Sequence, residues 1–503
     1  MNDQEYFLGC IVLVATGEDK HLLLDGQQRL ATATILLSVI RDFLATDDKG
    51  AAERTQFAYI AALNDATNTT SYSLQLNQYD RDFFRREIQD WPRDDGAPDA
   101  TMESHQLIRK AKEFFTTKFQ EHYRQIGDIS KRRERALRLR EVLTNHFSVV
   151  VVKSDDEDNA ASVFETLNDR GVGLSTPDLL RSYLLRTADA SQRDEVFNCW
   201  RVILEVEEEA RVEDFIRHYW LSKHGDVKTR RLFREIKRAL NAEGSSSLPF
   251  TRELRGGAVT YREIVAGRDD DSELEWYLQG IRLLNAKSLL PAVLSIYEVC
   301  KVNDRRRLVK ALVALYVRCI IVGGGDISRL ETVVFAIAKD LRRNSDVAEA
   351  LERISSSAPS DDEFQAQFKK ARIQRQGVAR YILLELERHL SPTRETCARK
   401  ALEVHVEHVY PRNPSSERWP NHDQMVDRIG NLTLLGKGLN TSAKNKGFAE
   451  KLESYKKSDF KLTRELASYA SWSPNAVEKR QRKLGKWAAL IWSVPSREAP
   501  EGG

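Results

Sequence analysis

Val404-His-Val-Glu-His-Val-Tyr-Pro411 sets a carboxylate, Glu407, directly beside an imidazole, His408, in a strand-like run closed by a proline. Downstream, Gly430-Asn-Leu-Thr-Leu-Leu435 puts Asn431 at the head of a second apolar run. Asn440 follows, ahead of a helix-like stretch from Lys446 to Tyr455. Hydrolysis of a phosphodiester needs a base to deprotonate water and a divalent cation to stabilise the phosphorane and the leaving oxygen, because the diester is itself anionic. Glu407 and Asn440 are hard oxygen ligands suited to Mg²⁺ or Mn²⁺, and two protein ligands leave positions for phosphate and water. His408 then stays free as the base, with an unperturbed pKa of about 6.5. A satisfied histidine at a strand end and two turn asparagines would account for any one of these residues alone. Their joint order and spacing favours catalysis. His405 and His422 lie nearby as reserve candidates for the base.

Around these residues Lys437, Lys444, Lys446, Lys451, Lys456 and Lys457 cluster, with Arg480, Arg482, Lys483 and Lys486 further on. A phosphate backbone needs such a surface, and solvated lysines on an amphipathic helix give the same string. Trp472, Trp487 and Trp492 read as core residues. A second constellation stands near the start, Leu22-Leu-Leu-Asp25-Gly26-Gln27-Gln28-Arg29-Leu30. It places a polar turn between a strand and a helix, so the helix presents free N–H groups and the positive end of its dipole, which favour an anion. Gly26 permits close backbone approach, Arg29 can pair with phosphate, and Asp25 can hold a metal-bound water or orient a nucleotide. A capping box, with Asp25 at N-cap and Gln28 at N3, explains the same residues without a ligand.

The elements that position these residues follow from periodicity. Tyr6 to Val14 and His21 to Leu24 read as a hairpin, and Leu30, Ala33, Leu37, Ile40 and Leu44 recur at helical spacing behind it. Up to about residue 385 the pattern is helical, broken at Trp91–Pro98, Gly244–Pro249, Gly323–Gly325 and Ser355–Ser360, with one strand, Phe147 to Val152. The fold class expected is α+β, predominantly helical, with a small α/β unit in front. At 503 residues the chain suits roughly three domains. Its 78 basic and 75 acidic residues leave a net charge of only +3, so any nucleic-acid surface must come from local segregation of charge. Five scattered cysteines without a C-x-x-C pair argue against a disulfide framework or a thiolate zinc site. The first residues lack a secretory signal, and the apolar stretch Leu308 to Val322 is interrupted by Lys310 and Arg318, so the reading is a cytoplasmic protein with no membrane partner.

Glu407-His408-Val-Tyr-Pro411, Gly430-Asn431-Leu-Thr-Leu-Leu435 and Asn440 with Lys444 resemble the HNH (ββα-metal) nuclease pattern in order and spacing. The resemblance makes Glu407 the first metal ligand, His408 the general base, Asn431 the residue bracing the loop and Asn440 the second ligand. The HNH zinc-ribbon cysteines are absent, as in the C-terminal domain of GmrSD-type restriction enzymes, which this segment resembles through Lys451, Tyr455, Trp472 and Arg480. The Asp25-Gly26-Gln27-Gln28-Arg29 string is similar to the ParB/sulfiredoxin-like domain at the front of the same proteins, associated there with nucleoside triphosphate binding and hydrolysis. Phe164-Glu-Thr-Leu-Asn168-Asp-Arg170-Gly171 and Leu174-Ser-Thr-Pro-Asp178 match the next landmark, and Leu76-Asn-Gln-Tyr-Asp80 does so more weakly. Asn168 and Arg170 join the nucleotide-binding set by that match; Asn168–Gly171 also reads as a helix end, with Ser175 or Thr176 and Pro177 starting the next helix. Family members usually carry a further segment before Tyr6, with a QR-P-Y-x-W type element. The expectation is a shortened front domain: a true start upstream, a separate polypeptide supplying the piece, or a decayed copy.

Together these imply a ParB/sulfiredoxin-like nucleotide-binding domain over 1–190, a helical connector over 191–385 and an HNH nuclease over 386–503. The function expected is a modification-dependent, type IV-like DNA endonuclease in antiphage defence, using Mg²⁺ or Mn²⁺ and regulated by GTP, UTP or ATP. Lys437, Lys444, Lys446 and Lys451 would hold the DNA, expected to be modified phage DNA; a homo-oligomer stays open. Two alternatives stand beside it: a non-catalytic DNA-binding or regulatory protein, and an NTPase that uses the C-terminal domain only to hold DNA.

Overall fold

The structure, a computed structural model, describes residues 6–15, 20–64, 69–77, 79–92, 96, 98–124, 126–154, 175–242, 247–391, 404–414, 418–443 and 446–495. The chain divides into two compact units, Met1–Leu174 and Ser175–Gly503. Helices predominate and the described sheets are small, consistent with the α+β class expected.

In the first unit the expected hairpin forms: β1 (Tyr6–Ala15) runs antiparallel to β2 (His21–Asp25). A second hairpin, β3 (Ala61–Asn64) with β4 (Thr69–Tyr72), departs from the expectation of a single further strand. These strands have four residues each, too short for an apolar alternation to stand out in the sequence. β5 (Phe147–Ser154) pairs with β1 in parallel, giving the order β2-β1-β5. The helix Gln27–Leu44 follows β2 directly and buries Ile35, Leu37, Val39, Ile40 and Leu44. Val39, Ile40 and Leu44 meet Ala51, Ala52, Phe119, Tyr123 and Ala136 from the following helices, and this apolar cluster fixes the helix behind the β2 turn. Inside that packing the buried guanidinium of Arg41 donates to Gln56 Oε1 at 2.6 Å and to the carbonyls of Gln89 and Ile88 at 3.3 and 3.2 Å, which offsets its desolvation.

In the second unit the helix Thr176–Thr187 starts as expected, with Ser175 at N-cap, Asp178 completing a capping box and Pro177 in the first turn. The apolar stretch from Leu308 lies within the helix Val302–Tyr316 and the wider turn Val317–Val322, and no described helix is long and apolar enough to cross a membrane. Arg318, which interrupts that stretch, is fully buried. It donates to the carbonyls of Trp492 at 2.6 Å, Pro359 at 2.9 Å and Ala489 at 3.3 Å and pairs with Asp361, tying the last helix, Pro474–Ile491, to the middle of the chain. The helix Gln376–Leu390 crosses residue 385, and its buried Glu387 accepts from the backbone N–H groups of Lys461 and Leu462 at 2.9 and 2.8 Å. The helical middle and the C-terminal segment thus share one compact unit.

Candidate active site

β6 (Val404–His408) and β7 (Leu432–Gly436) pair antiparallel, with Glu407 opposite Thr433 and His408 opposite Leu432. The helix Lys437–Ala443 follows β7 without a loop and packs on both strands, carrying Asn440. The two strands come in the expected order, and the helix expected over Lys446 to Tyr455 is present as Phe448–Lys456, but Asn440, expected ahead of that helix, sits in a separate short helix that the spacing did not indicate. Gly430 at the head of β7 has a structural reason: a Cβ there would lie 2.3 Å from the Val477 carbonyl of the last helix. From that helix the buried Arg480 donates to the carbonyls of Gly430 at 2.9 Å and Leu432 at 2.7 Å, and Gln481 accepts from the Gly430 N–H at 3.1 Å. Burial lowers the Arg480 pKa to about 10.

Asn431 is fully buried and spends its amide on four hydrogen bonds. Its Nδ2 donates to the carbonyls of Tyr410 and Val426, both at 2.9 Å, and its Oδ1 accepts from the Tyr410 N–H at 2.8 Å and the Trp472 indole at 2.9 Å. The side chain clamps the loop after His408 to the loop before β7.

His408 sits among groups that sequence reasoning missed. Its Nε2 lies 3.3 Å from Asp427 Oδ1, and Arg412 donates through Nε to the same Nε2 at 3.2 Å and through Nη2 to Asp427 at 2.9 Å. Burial pushes the imidazole pKa below its usual value; Asp427, which can accept from the protonated ring, opposes the shift and the Arg412 charge adds to it. The net effect keeps His408 neutral near pH 7, the form a base requires. The only sequence signal for these partners is position: Arg412 directly follows Pro411, and Asp427 opens Asp427-Arg-Ile-Gly-Asn431.

Glu407 is buried against a lysine. Lys451 Nζ donates to Glu407 Oε1 at 2.6 Å and to the His408 carbonyl at 2.8 Å. Burial raises the Glu407 pKa, with Lys451 opposing, and burial lowers the Lys451 pKa, with Glu407 opposing. This corrects the expectation for Lys451: its side chain is 0% exposed, so it cannot meet a DNA backbone. Arg480 leaves the basic surface for the same reason. Lys456 and Lys483 are exposed but pair with Glu453 and Glu465. Lys437 and Lys446 are exposed, and Lys444 lies outside the described residues.

Among the described residues no three His, Cys, Asp or Glu side chains come together as a metal site. A cation here would therefore take few protein ligands. The donor set fits a hard cation: Asn440 Oδ1 is buried with no hydrogen-bond partner, and Glu407 is a carboxylate, with one oxygen held by Lys451. Of the reserve bases, His405 is exposed and His422 is buried against the Tyr410 ring.

In the first unit Gly26 is the N-cap of Gln27–Leu44, in left-handed conformation with φ 96°, and a Cβ would lie 2.9 Å from Ile11 Cγ1. No side chain caps this helix end, so the capping box of Asp25 and Gln28, the ligand-free alternative, does not form: the sharp turn puts Gly26 in the N-cap position. Arg29 instead pairs with Asp25 at 3.1 Å and donates to the Cys10 carbonyl of β1 at 2.7 Å, while Gln27 donates to the Leu23 carbonyl at 2.9 Å. Gln28 is exposed. Asn168 and Arg170 lie outside the described residues. In the weaker landmark, Asn77 Oδ1 accepts from the N–H groups of Tyr79 and Asp80 at 2.9 and 3.1 Å, a local turn ahead of a helix.

Residues 2–185 match the model of the GmrSD restriction endonuclease N-terminal domain, and residues 358–487 match that of the GmrSD restriction endonuclease C-terminal domain. No curated protein matches the chain. The two matches fall in the order in which the Asp25–Arg29 turn and the paired strands bearing His408 stand along the chain. It belongs to the GmrSD-type restriction endonucleases.

Proposed function

We propose that this restriction endonuclease is modification-dependent and type IV-like, acts in antiphage defence, and cuts DNA by metal-assisted hydrolysis at an HNH site. The observation that carries the proposal is the pairing of β6 with β7, which sets Glu407 and His408 on a strand packed against the helix bearing Asn440, with the Asn440 amide oxygen buried and unpartnered. His408, kept neutral by burial, takes a proton from the attacking water. The water oxygen bonds to phosphorus, the bond to the leaving sugar oxygen breaks, and that oxygen is protonated from solvent. A bound Mg²⁺ or Mn²⁺ supplies charge neutralisation of the phosphoryl and leaving oxygens. Glu407 and Asn440 would hold it, and Asn431 keeps the loop behind His408 from shifting. Lys437 and Lys446 contact the backbone of the DNA. A nucleoside triphosphate, GTP, UTP or ATP, bound at the Asp25–Arg29 turn regulates cutting. The test is cleavage of modified and unmodified phage DNA with Mg²⁺ or Mn²⁺, with and without nucleotide, beside His408→Ala. Loss of cutting by about 10²- to 10⁴-fold with DNA binding kept is expected. Undiminished cutting by the variant removes His408 as base, and binding without cutting in the wild type selects the non-catalytic reading.

A further inference from the structure

We propose that Arg412 is a further catalytic residue of this site: in the free protein it caps the base, and when DNA binds it moves to the scissile phosphate and leaves the base open. The inference rests on His408 being the base and adds a residue and a trigger to that reading.

The Arg412 Nε–H points at His408 Nε2 from 3.2 Å. In the neutral ring with its proton on Nδ1, the Nε2 lone pair accepts this contact and is covered by it, while Asp427 Oδ1, 3.3 Å from the same nitrogen, accepts only once Nε2 is protonated. A covered lone pair cannot take a proton from water. The guanidinium must therefore leave before His408 can act. Burial indicates which partner moves, because the side chains of His408 and Asp427 are 14% and 11% exposed and that of Arg412 is 46% exposed. His408 is fixed in the ladder opposite Leu432, and Asp427 is anchored by its carbonyl, which accepts from the Ile373 N–H at 2.8 Å. Arg412 is held through one carboxylate oxygen and one ring nitrogen.

A phosphodiester offers the guanidinium fork two anionic oxygens in one plane, a bidentate pairing that this hold does not match. The phosphate that draws Arg412 away is the one the base must serve. Lys451 cannot substitute, since its ammonium is committed to Glu407 and to the His408 carbonyl. Once Arg412 has gone, Asp427 Oδ1 remains 3.3 Å from Nε2, placed to accept from the imidazolium that forms when Nε2 takes the proton.

The experiment uses the full chain and Arg412→Ala, Arg412→Lys and His408→Ala, with folding checked by thermal unfolding. On the DNA that the wild type cuts with Mg²⁺, Arg412→Ala is expected to lower kcat by about 10²- to 10³-fold, the size of losing one donor to a developing oxyanion. Its Kd for DNA should change only a few-fold. Added guanidinium should restore part of the rate to Arg412→Ala and none to His408→Ala, and Arg412→Lys should lie between. An Arg412→Ala enzyme as fast as the wild type, or faster, overturns the proposal, because a residue that only covered the base would obstruct it. A second measurement works without turnover: the imidazole ¹⁵N signal of His408, assigned by its loss in His408→Ala, with a short DNA duplex and Ca²⁺ in place of Mg²⁺. DNA should shift the Nε2 signal of the wild type towards that of DNA-free Arg412→Ala, and an unmoved signal at saturating DNA overturns the displacement. Cutting that survives in His408→Ala sinks the base assignment and this inference together, whereas a dead His408→Ala beside an unimpaired Arg412→Ala sinks the inference alone.

Discussion

Replacing Lys451 with alanine tests how the carboxylate of the site is held. In the structure the Lys451 ammonium is wholly buried and lies 2.6 Å from a Glu407 oxygen, with the His408 carbonyl as its second acceptor. At an effective dielectric of about 20 the attraction is about 6 kcal/mol, much of it offset by taking both charges out of water. Removing one partner leaves the other charge buried and unpaired, which costs about 3–5 kcal/mol. The second unit should therefore unfold at a temperature lower by on the order of 5–10 °C. The loss also depends on pH. Burial already raises the Glu407 pKa, and without its cation the carboxyl titrates higher still, while in the unfolded chain it titrates near its ordinary value. The folded variant then binds more protons than the unfolded chain between those two pKa values, so its stability falls as pH rises through that window and recovers on acidification. The assay is thermal unfolding of wild type, Lys451→Ala, Glu407→Gln and the double variant Glu407→Gln/Lys451→Met from pH 5 to 8. The double variant should regain most of the loss, because an uncharged pair of similar size escapes the cost of desolvating two ions. A Lys451→Ala transition within a degree of the wild type at pH 8, or a double variant less stable than either single one, refutes the buried ion pair as the element holding Glu407.

Asp427→Asn should move the acid limb of the kcat/KM profile to lower pH, since it removes the group that favours imidazolium against burial and Arg412; a limb that rises or stays put contradicts the contact. Asn431→Ala should destabilise the second unit by about 3 kcal/mol, because two backbone carbonyls and the Tyr410 N–H lose their partner in a buried loop; thermal unfolding unchanged from wild type would show that the clamp bears no strain. Arg29→Ala should weaken nucleoside triphosphate binding measured by calorimetry while leaving metal-dependent cutting of nucleotide-independent substrates intact. If binding is unaffected, the Asp25–Arg29 pair only ties the turn to β1.

What the sequence determined by itself is local. Glu407 beside His408, the apolar run after Asn431 and the helix Phe448–Lys456 lie within one stretch, so turn residues and apolar alternation suffice to place them in order, whereas the short helix Lys437–Ala443 that carries Asn440 was not read from the sequence. The hairpin before Asp25 and the helix after Gly26 were legible for the same reason. Charge was not. Lys451 and Arg480 read as surface cations because lysine and arginine usually are, yet both are buried, and only tertiary structure supplies the acceptors that make this tolerable: Glu407 for one, the carbonyls of Gly430 and Leu432 for the other. Nor did any spacing rule mark Asp427 and Arg412, since a bond between two loops and a strand end carries no periodicity. The parallel pairing of β1 with β5 joins segments at opposite ends of the first unit. Local pattern is fixed by backbone geometry, which repeats along the chain, whereas the partners of a buried charge are fixed by which surfaces close on it when the chain packs.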